Sequence, residues 1–80
     1  MTLDAEIKEM IVSELALDAK AVVPEAHLQD DLGADSLGLL NLATAIETRY
    51  GIEVQGDDLV DIPSVGELVK WVESRISSKS

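Results

Sequence analysis

The residues best suited to chemistry lie in one stretch, Asp30-Asp31-Leu32-Gly33-Ala34-Asp35-Ser36-Leu37. Ser36 offers a hydroxyl that can act as a nucleophile or be esterified. Nucleophilic use needs a base, and the chain has a single histidine, His27. Ala34-Asp35-Ser36-Leu37-Gly38 comes within one residue of the Gly-x-Ser-x-Gly elbow, but that motif requires a strand before the serine and a large α/β sheet around it. A helical chain of 80 residues cannot build that fold. His27 therefore reads as an exposed loop residue, and a serine hydrolase is set aside. The clustered aspartates suggest calcium, yet an EF-hand loop wants acids at alternate positions and glycine sixth. Asp30, Asp31 and Asp35 miss that spacing, and Ser36 stands where glycine is required, so no metal site is assigned. The same stretch suits an anchored group. Gly33 lets the chain turn sharply, Asp35 can cap the first free amides of a helix, and Ser36 then occupies the first helical position. A helix N-terminus favours negative charge, including a phosphate esterified to that hydroxyl.

The rest of the composition narrows the function class. Eighty residues make one domain, which buries only about 60% of the surface its unfolded form exposes. Such a thin core leaves little room for a deep catalytic cleft, so the chain is expected not to be an enzyme. The hydrophobic fraction is 46%, nearly all aliphatic, with one Trp, one Tyr and no Phe. Zero Cys excludes disulfides and thiolate metal sites. Sixteen acidic residues against six basic give a net charge of −10. Nucleic acid and anionic lipid would repel it, whereas proteins with basic surfaces would attract it. The opening residues Met1-Thr2-Leu3-Asp4-Ala5-Glu6 lack the basic and apolar regions of a signal peptide, and no apolar run nears the roughly 20 residues that cross a bilayer. A cytoplasmic monomer without membrane insertion is expected.

These side chains need elements to hold them. Leu3, Ile7, Ile11 and Leu15 recur every fourth position with Met10 alongside, predicting a first helix over about 3–15 that is capped by Thr2. A long connection follows from Leu17 to Asp35, interrupted by Pro24 and pinned to the core by Leu28 and Leu32; so long a loop is usually functional or disordered. The second helix is expected from Ser36 to Tyr50, with Gly51 as its stop. At about 100° per residue, Leu39, Leu42, Ala43, Ile46 and Tyr50 share one buried arc, while Leu37 and Leu40 fall outside it beside Ser36. A short element is expected around Asp57 to Asp61. The fourth helix begins at Ser64, where Ser64 and Glu67 match a capping box. It buries Val65, Leu68, Val69, Val72 and Ile76, with Trp71 at an edge and Arg75 and Lys79 near its negative end. The predicted fold is all-α: three main helices plus one short helix, with a long first loop, in one domain over 1–80. It is ordered from about residue 3 to 76, with the tail Ser77-Ser78-Lys79-Ser80 frayed.

Asp31-Leu32-Gly33-Ala34-Asp35-Ser36-Leu37 closely resembles the attachment motif of acyl carrier proteins, Asp-Leu-Gly-x-Asp-Ser-Leu. The resemblance continues through Ala45-Ile46-Glu47, Tyr50 and Ile52-Glu53-Val54 to Ile62-x-Ser64-Val65-x-x-Leu68, and so covers about residues 3–76. It implies a four-helix acyl-carrier-like bundle on which Ser36 receives 4′-phosphopantetheine from coenzyme A through a separate phosphopantetheinyl transferase. The terminal thiol of that arm would carry acyl intermediates as thioesters for fatty-acid or related lipid or polyketide synthesis.

The resemblance also implies roles for other residues. Asp35 and Leu37 flank the arm, and Leu37, Leu40, Glu47, Asp30 and Asp31 form a face for acyl-transfer and condensing enzymes with basic surfaces. Leu28, Leu39, Ile46, Val54, Ile62 and Leu68 would line a cavity for the acyl chain. The second helix departs from the family pattern. Its outward face is expected to carry Gly38, Asn41, Thr44 and Thr48 where more acids are usual, and Arg49 adds a positive charge there. That pattern suits a specialised carrier with a dedicated synthase. The Gly33-Ala34-Asp35 sequence argues against the carriers of peptide synthetases, which usually show a Gly-Gly pair. The alternative function is an acidic helical module that docks on basic partners with Ser36 unmodified or phosphorylated.

Overall fold

In the computed structural model, which describes residues 2–79 with the side chain of Lys79 excepted, four α-helices follow one another. They are α1 (Leu3–Leu15), α2 (Ser36–Tyr50), α3 (Gly56–Val60) and α4 (Val65–Lys79), with a 3₁₀ turn at Ala19–Ala21 in the long connection. The described residues contain no strand, only an isolated antiparallel bridge between His27 and Ser64. The all-α expectation holds.

The helix ends follow from local chemistry. Thr2 Oγ1 accepts the Ala5 N–H at 3.2 Å, which satisfies one of the orphan donors of α1. Helix α1 closes at Ala16, which adopts the left-handed region (φ 53°, ψ 48°) while its N–H donates to the Val12 carbonyl. Helix α2 stops at Gly51, also left-handed. Ser64 Oγ accepts the Glu67 N–H at 3.4 Å, as a cap should, while the Glu67 carboxylate lies 3.9 Å from Lys70 Nζ. Helix α4 continues to Lys79, three residues beyond the expected end of order. Its run Ser77-Ser78-Lys79 stays helical because no Gly or Pro interrupts it. Ser80 and the Lys79 side chain, both assigned above, lie outside the described residues.

One aliphatic core unites the elements. Helix α1 contributes Ile7, Met10 and Ile11, α2 contributes Leu39, Leu42, Ala43 and Ile46, and α3 contributes Leu59. Helix α4 adds Val65, Leu68 and Val72, while Val69, Trp71 and Ile76 are only partly buried against them. Each fully buried aliphatic side chain adds about 1.5–3 kcal/mol. The long connection is not loose. Val22, Ala26, Leu28, Leu32 and Ala34 are buried, and its backbone folds on itself: Leu32 N–H donates to the His27 carbonyl and Ala34 N–H to the Leu28 carbonyl. The Asp31 carboxylate accepts the His27 N–H at 2.8 Å, closing the turn from the other side. Val65 N–H and Gly66 N–H donate to the carbonyls of Ala26 and Pro24, both at 3.0 Å, and so fasten the loop to the start of α4.

Helices α1 and α2 are held together near both ends. Toward one end, Leu15 packs over Gly38: a Cβ there would stand 2.8 Å from Leu15 Cδ2, and the leucine side chain would have to turn aside for it. Toward the other, Glu6 Oε1 accepts from Arg49 Nε at 3.2 Å and from the Tyr50 hydroxyl at 3.0 Å. The Tyr50 phenol is pushed up to about 12 by burial and then by the hydrogen bond to Glu6. The Tyr50 hydrogen bond, aided by Arg49, holds the Glu6 carboxyl below its usual range despite partial desolvation. This corrects one expectation. Gly38 and Arg49 belong to the side of α2 that meets α1, and the Arg49 charge is matched by Glu6 rather than displayed beside Ser36.

Candidate functional site

Ser36 is the first residue of α2, and it is exposed. Its position follows from the three residues before it. Gly33 turns the chain at φ +66°, Ala34 is buried, and Asp35 is the N-cap. Asp35 Oδ1 accepts the Gly38 N–H at 2.7 Å, and the Asp35 carbonyl accepts the Leu39 N–H at 2.9 Å. The N–H groups of Ser36 and Leu37 belong to the first helical turn, which has no acceptor of its own within the helix. They sit at the positive end of the α2 dipole, beside the serine hydroxyl.

A groove of about 480 Å³ opens beside that hydroxyl, between α2 and α3. Ser36, Leu39, Leu40, Val54, Gln55, Gly56, Asp57 and Val60 line it, with no lysine or arginine among them. Leu37 is 64% exposed, Leu40 52% and Val60 49%, so the hydroxyl sits among apolar side chains left in solvent. Asp30, Asp31 and Asp35 are exposed on the long connection, Asp57 on α3 and Asp61 at its C-cap. Within this set the aspartates differ in their engagements. Asp31 is bound to the His27 amide, and Asp30 Oδ2 lies 3.7 Å from His27 Nδ1. Glu47 is partly buried. It lies eleven residues along α2 on the same side as Ser36, about 16 Å away along the axis.

Of the six residues expected to line an acyl cavity, the structure brings Leu39 and Val54 to the groove. Leu28, Ile46 and Leu68 are fully buried in the core beneath it. Ile62 is buried as well and borders a separate hollow with His27, Gln29 and Pro63. Sequence reasoning missed Val60, Gln55, Gly56 and Asp57. Val60 gave no clear signal: Leu59 and Val60 are adjacent in a five-residue helix, and adjacent apolar pairs elsewhere, Met10-Ile11 and Leu42-Ala43, are both buried. Gln55 and Asp57 gave none, because their place depends on how α3 docks. The Asp58 carboxylate accepts the Gln55 N–H at 3.0 Å and fixes the start of α3.

A family model described as phosphopantetheine attachment site matches residues 5–72. An acyl carrier protein of Solidesulfovibrio magneticus is 39% identical over 75 residues, covering 94% of this chain and 96% of that protein. This chain belongs to the acyl carrier protein family. An acyl carrier protein of Helicobacter pylori strain G27 is 40% identical over 73 residues, 91% of this chain and 94% of its own length. In fold, this acyl carrier protein is similar to a 3-oxo-butyl carrier protein of the actinorhodin polyketide synthase from Streptomyces coelicolor. The TM-score is 0.79 at 21% identity, covering 100% of this chain and 95% of that one.

Members of the family carry a covalent 4′-phosphopantetheine, work with a phosphopantetheinyl transferase and with biosynthetic enzymes, and are carriers rather than catalysts. The described residues of this acyl carrier protein fit such a group. An exposed hydroxyl adjoins two first-turn amides, and a groove partly walled by aliphatic side chains begins next to it. Among the described residues no helix is long and apolar enough to cross a membrane, and no cluster of three or more His, Cys, Asp or Glu could hold a metal ion.

Proposed function

We propose that Ser36 bears the 4′-phosphopantetheine arm, and that this carrier serves fatty-acid synthesis or a related specialised lipid or polyketide pathway as a cytoplasmic monomer. The supporting observation is the placement of one exposed hydroxyl at the tip of α2, beside an aliphatic groove and among aspartates. When bound, the arm supplies a thiol that holds acyl groups as thioesters. The chain's own residues shape how that group is presented. The Asp35 cap fixes the first turn, and the Ser36 and Leu37 amides face the phosphate. Leu39, Leu40, Val54 and Val60 cover apolar atoms hung from the serine, at about 0.8 kcal/mol per CH₂ removed from water. Leu28, Ile46, Ile62 and Leu68 would meet a longer acyl chain that parts α2 from α3.

Docking of the transferase and of acyl-transfer and condensing enzymes with basic surfaces rests on Leu37, Leu40 and Val60 for apolar contact. Asp30, Asp31, Asp35, Asp57 and Asp61 provide steering. Helix α2 carries a single acid, Glu47. The steering charge thus flanks α2 rather than running along it, which supports a dedicated synthase over a general one. Intact mass tests the attachment. Coenzyme A and a broad-specificity transferase should add one phosphopantetheine to the wild type and none to Ser36→Ala. A folded wild type whose mass does not move would remove the proposal.

A further inference from the structure

The described residues leave four large apolar side chains exposed. Leu37, Leu40 and Val60 surround Ser36, and the fourth, Val23, is 40% exposed elsewhere. Val23 lies in a hollow of about 690 Å³ walled by α1, the long connection and α4, and no residue lining it lines the Ser36 groove. Val22, Val23, Pro24, Val65 and Val69 form its floor. A second hollow of about 320 Å³ shares Ala5 and Lys8 with the first and extends it along α1 to Val12. Together they make a trough from Thr2 to Val12, about 15 Å, or roughly three helical turns.

The charge here differs from that around Ser36. The main hollow holds two lysines, Lys8 and Lys70, against two acids, Asp4 and Glu73, and the extension adds Glu9. Lys70 lies 3.9 Å from Glu67. Lys8 sits where the hollows meet, and among the described residues its ammonium has no hydrogen-bond or ion-pair partner. An apolar floor with an unpaired lysine where the hollows join, and carboxylates at Asp4, Glu9 and Glu73 around it, complements an apolar stripe that carries one carboxylate flanked by bases.

We propose that this trough docks an amphipathic helix of a partner protein, with a partner carboxylate on Lys8, basic residues near Asp4, Glu9 and Glu73, and the Ser36 face left free. Other occupants fit less well. A partner strand needs an open sheet edge, but α1 and α4 use their backbone groups within their own helices. A proline-rich segment needs aromatic walls, and neither hollow has an aromatic residue. A second copy presents the same concavity and would leave a void. The consequence is tethering: a synthase could hold the carrier by its back while the arm visits one enzyme after another.

The test uses the full chain, with and without the phosphopantetheine arm. The probe is a synthetic helical peptide bearing leucines at i, i+3 and i+7, one central glutamate and lysines at both ends. Saturable amide shifts are expected at Ala5, Lys8, Val23, Gly66 and Val69, with equal affinity for both forms. Lys8→Glu should weaken binding about tenfold, and exchanging the peptide's glutamate for lysine should restore it. The proposal is overturned by shifts confined to Leu37, Leu40 and Val60, or by Lys8→Glu binding both peptides as the wild type does. It is also overturned if sodium decanoate displaces the peptide from the same residues, which would mark a small-amphiphile site, or if the chain self-associates through them.

Discussion

Asp35 combines two roles that substitution can separate. Its Oδ1 accepts the Gly38 N–H at 2.7 Å, and its charge lies at the positive end of α2. Losing a side-chain cap costs about 1 kcal/mol, and losing a carboxylate from the first turn costs a further 0.3–1 kcal/mol, roughly. Asp35→Ala forfeits both, about 1.5 kcal/mol. In a domain of this size, 1 kcal/mol moves Tm by about 4–8 °C, so the melt should fall by about 6–12 °C. Asp35→Asn keeps an accepting oxygen and forfeits only the charge, about 0.5 kcal/mol, for a drop of about 2–4 °C. The charge has a separate readout. A basic group about 8 Å away in water gains about 0.5 kcal/mol from Asp35, a factor of about two in rate. Transferase loading of Asp35→Asn should therefore be about half as fast at low salt and match the wild type at high salt. If Ala and Asn variants melt alike, the cap is not what stabilises α2. If the Asn variant loads at the wild-type rate at low salt, the acid has no part in docking.

The two left-handed residues before α2 make an opposed pair. Ala16→Gly should raise stability in urea by about 1 kcal/mol by removing a strained φ of 53°. Gly33→Ala should lower it by a similar amount, with no packing contribution, because nothing stands within 4 Å of the new Cβ. The reverse order would contradict the assigned backbone. Because Tyr50 is pushed up to about 12 in the folded protein, against about 10 unfolded, its contribution is full below pH 10 and is lost as pH rises toward 12. The wild-type Tm should thus fall more steeply over that range than that of Tyr50→Phe, and parallel curves would refute a phenol raised by burial and by Glu6. At the acid end the sign reverses. Glu6 is held low, so its contribution fades as pH falls through the carboxylate range.

Much of this was readable because the informative patterns are local. The every-fourth spacing from Leu3 to Leu15, the cap at Asp35 and the turn at Gly33 each act within one helical turn, and the site at Ser36 follows from them. What stayed hidden depends on docking between elements. Arg49 reads as an exposed base on α2, and only its register against α1 reveals Glu6 as its partner. The order of the long connection was equally opaque, since the Asp31 bond to the His27 amide and the Ala26 link to α4 are tertiary facts. Val60 was hidden in the same way, since only the docking of α3 decides that Leu59 is buried and Val60 is left half exposed.

The clasp of Arg49 and Tyr50 on Glu6 ties α1 to α2. Helix α3 is one turn long, with Leu59 as its only fully buried side chain. If a cargo is sheltered as proposed, room for it would come from shifting this smallest wall of the bundle. Lengthening the cargo would then strain a single short segment, and on the proposed docking face that segment would also shape the surface that visiting enzymes meet. A visitor could in this way sense from outside how much has been swallowed.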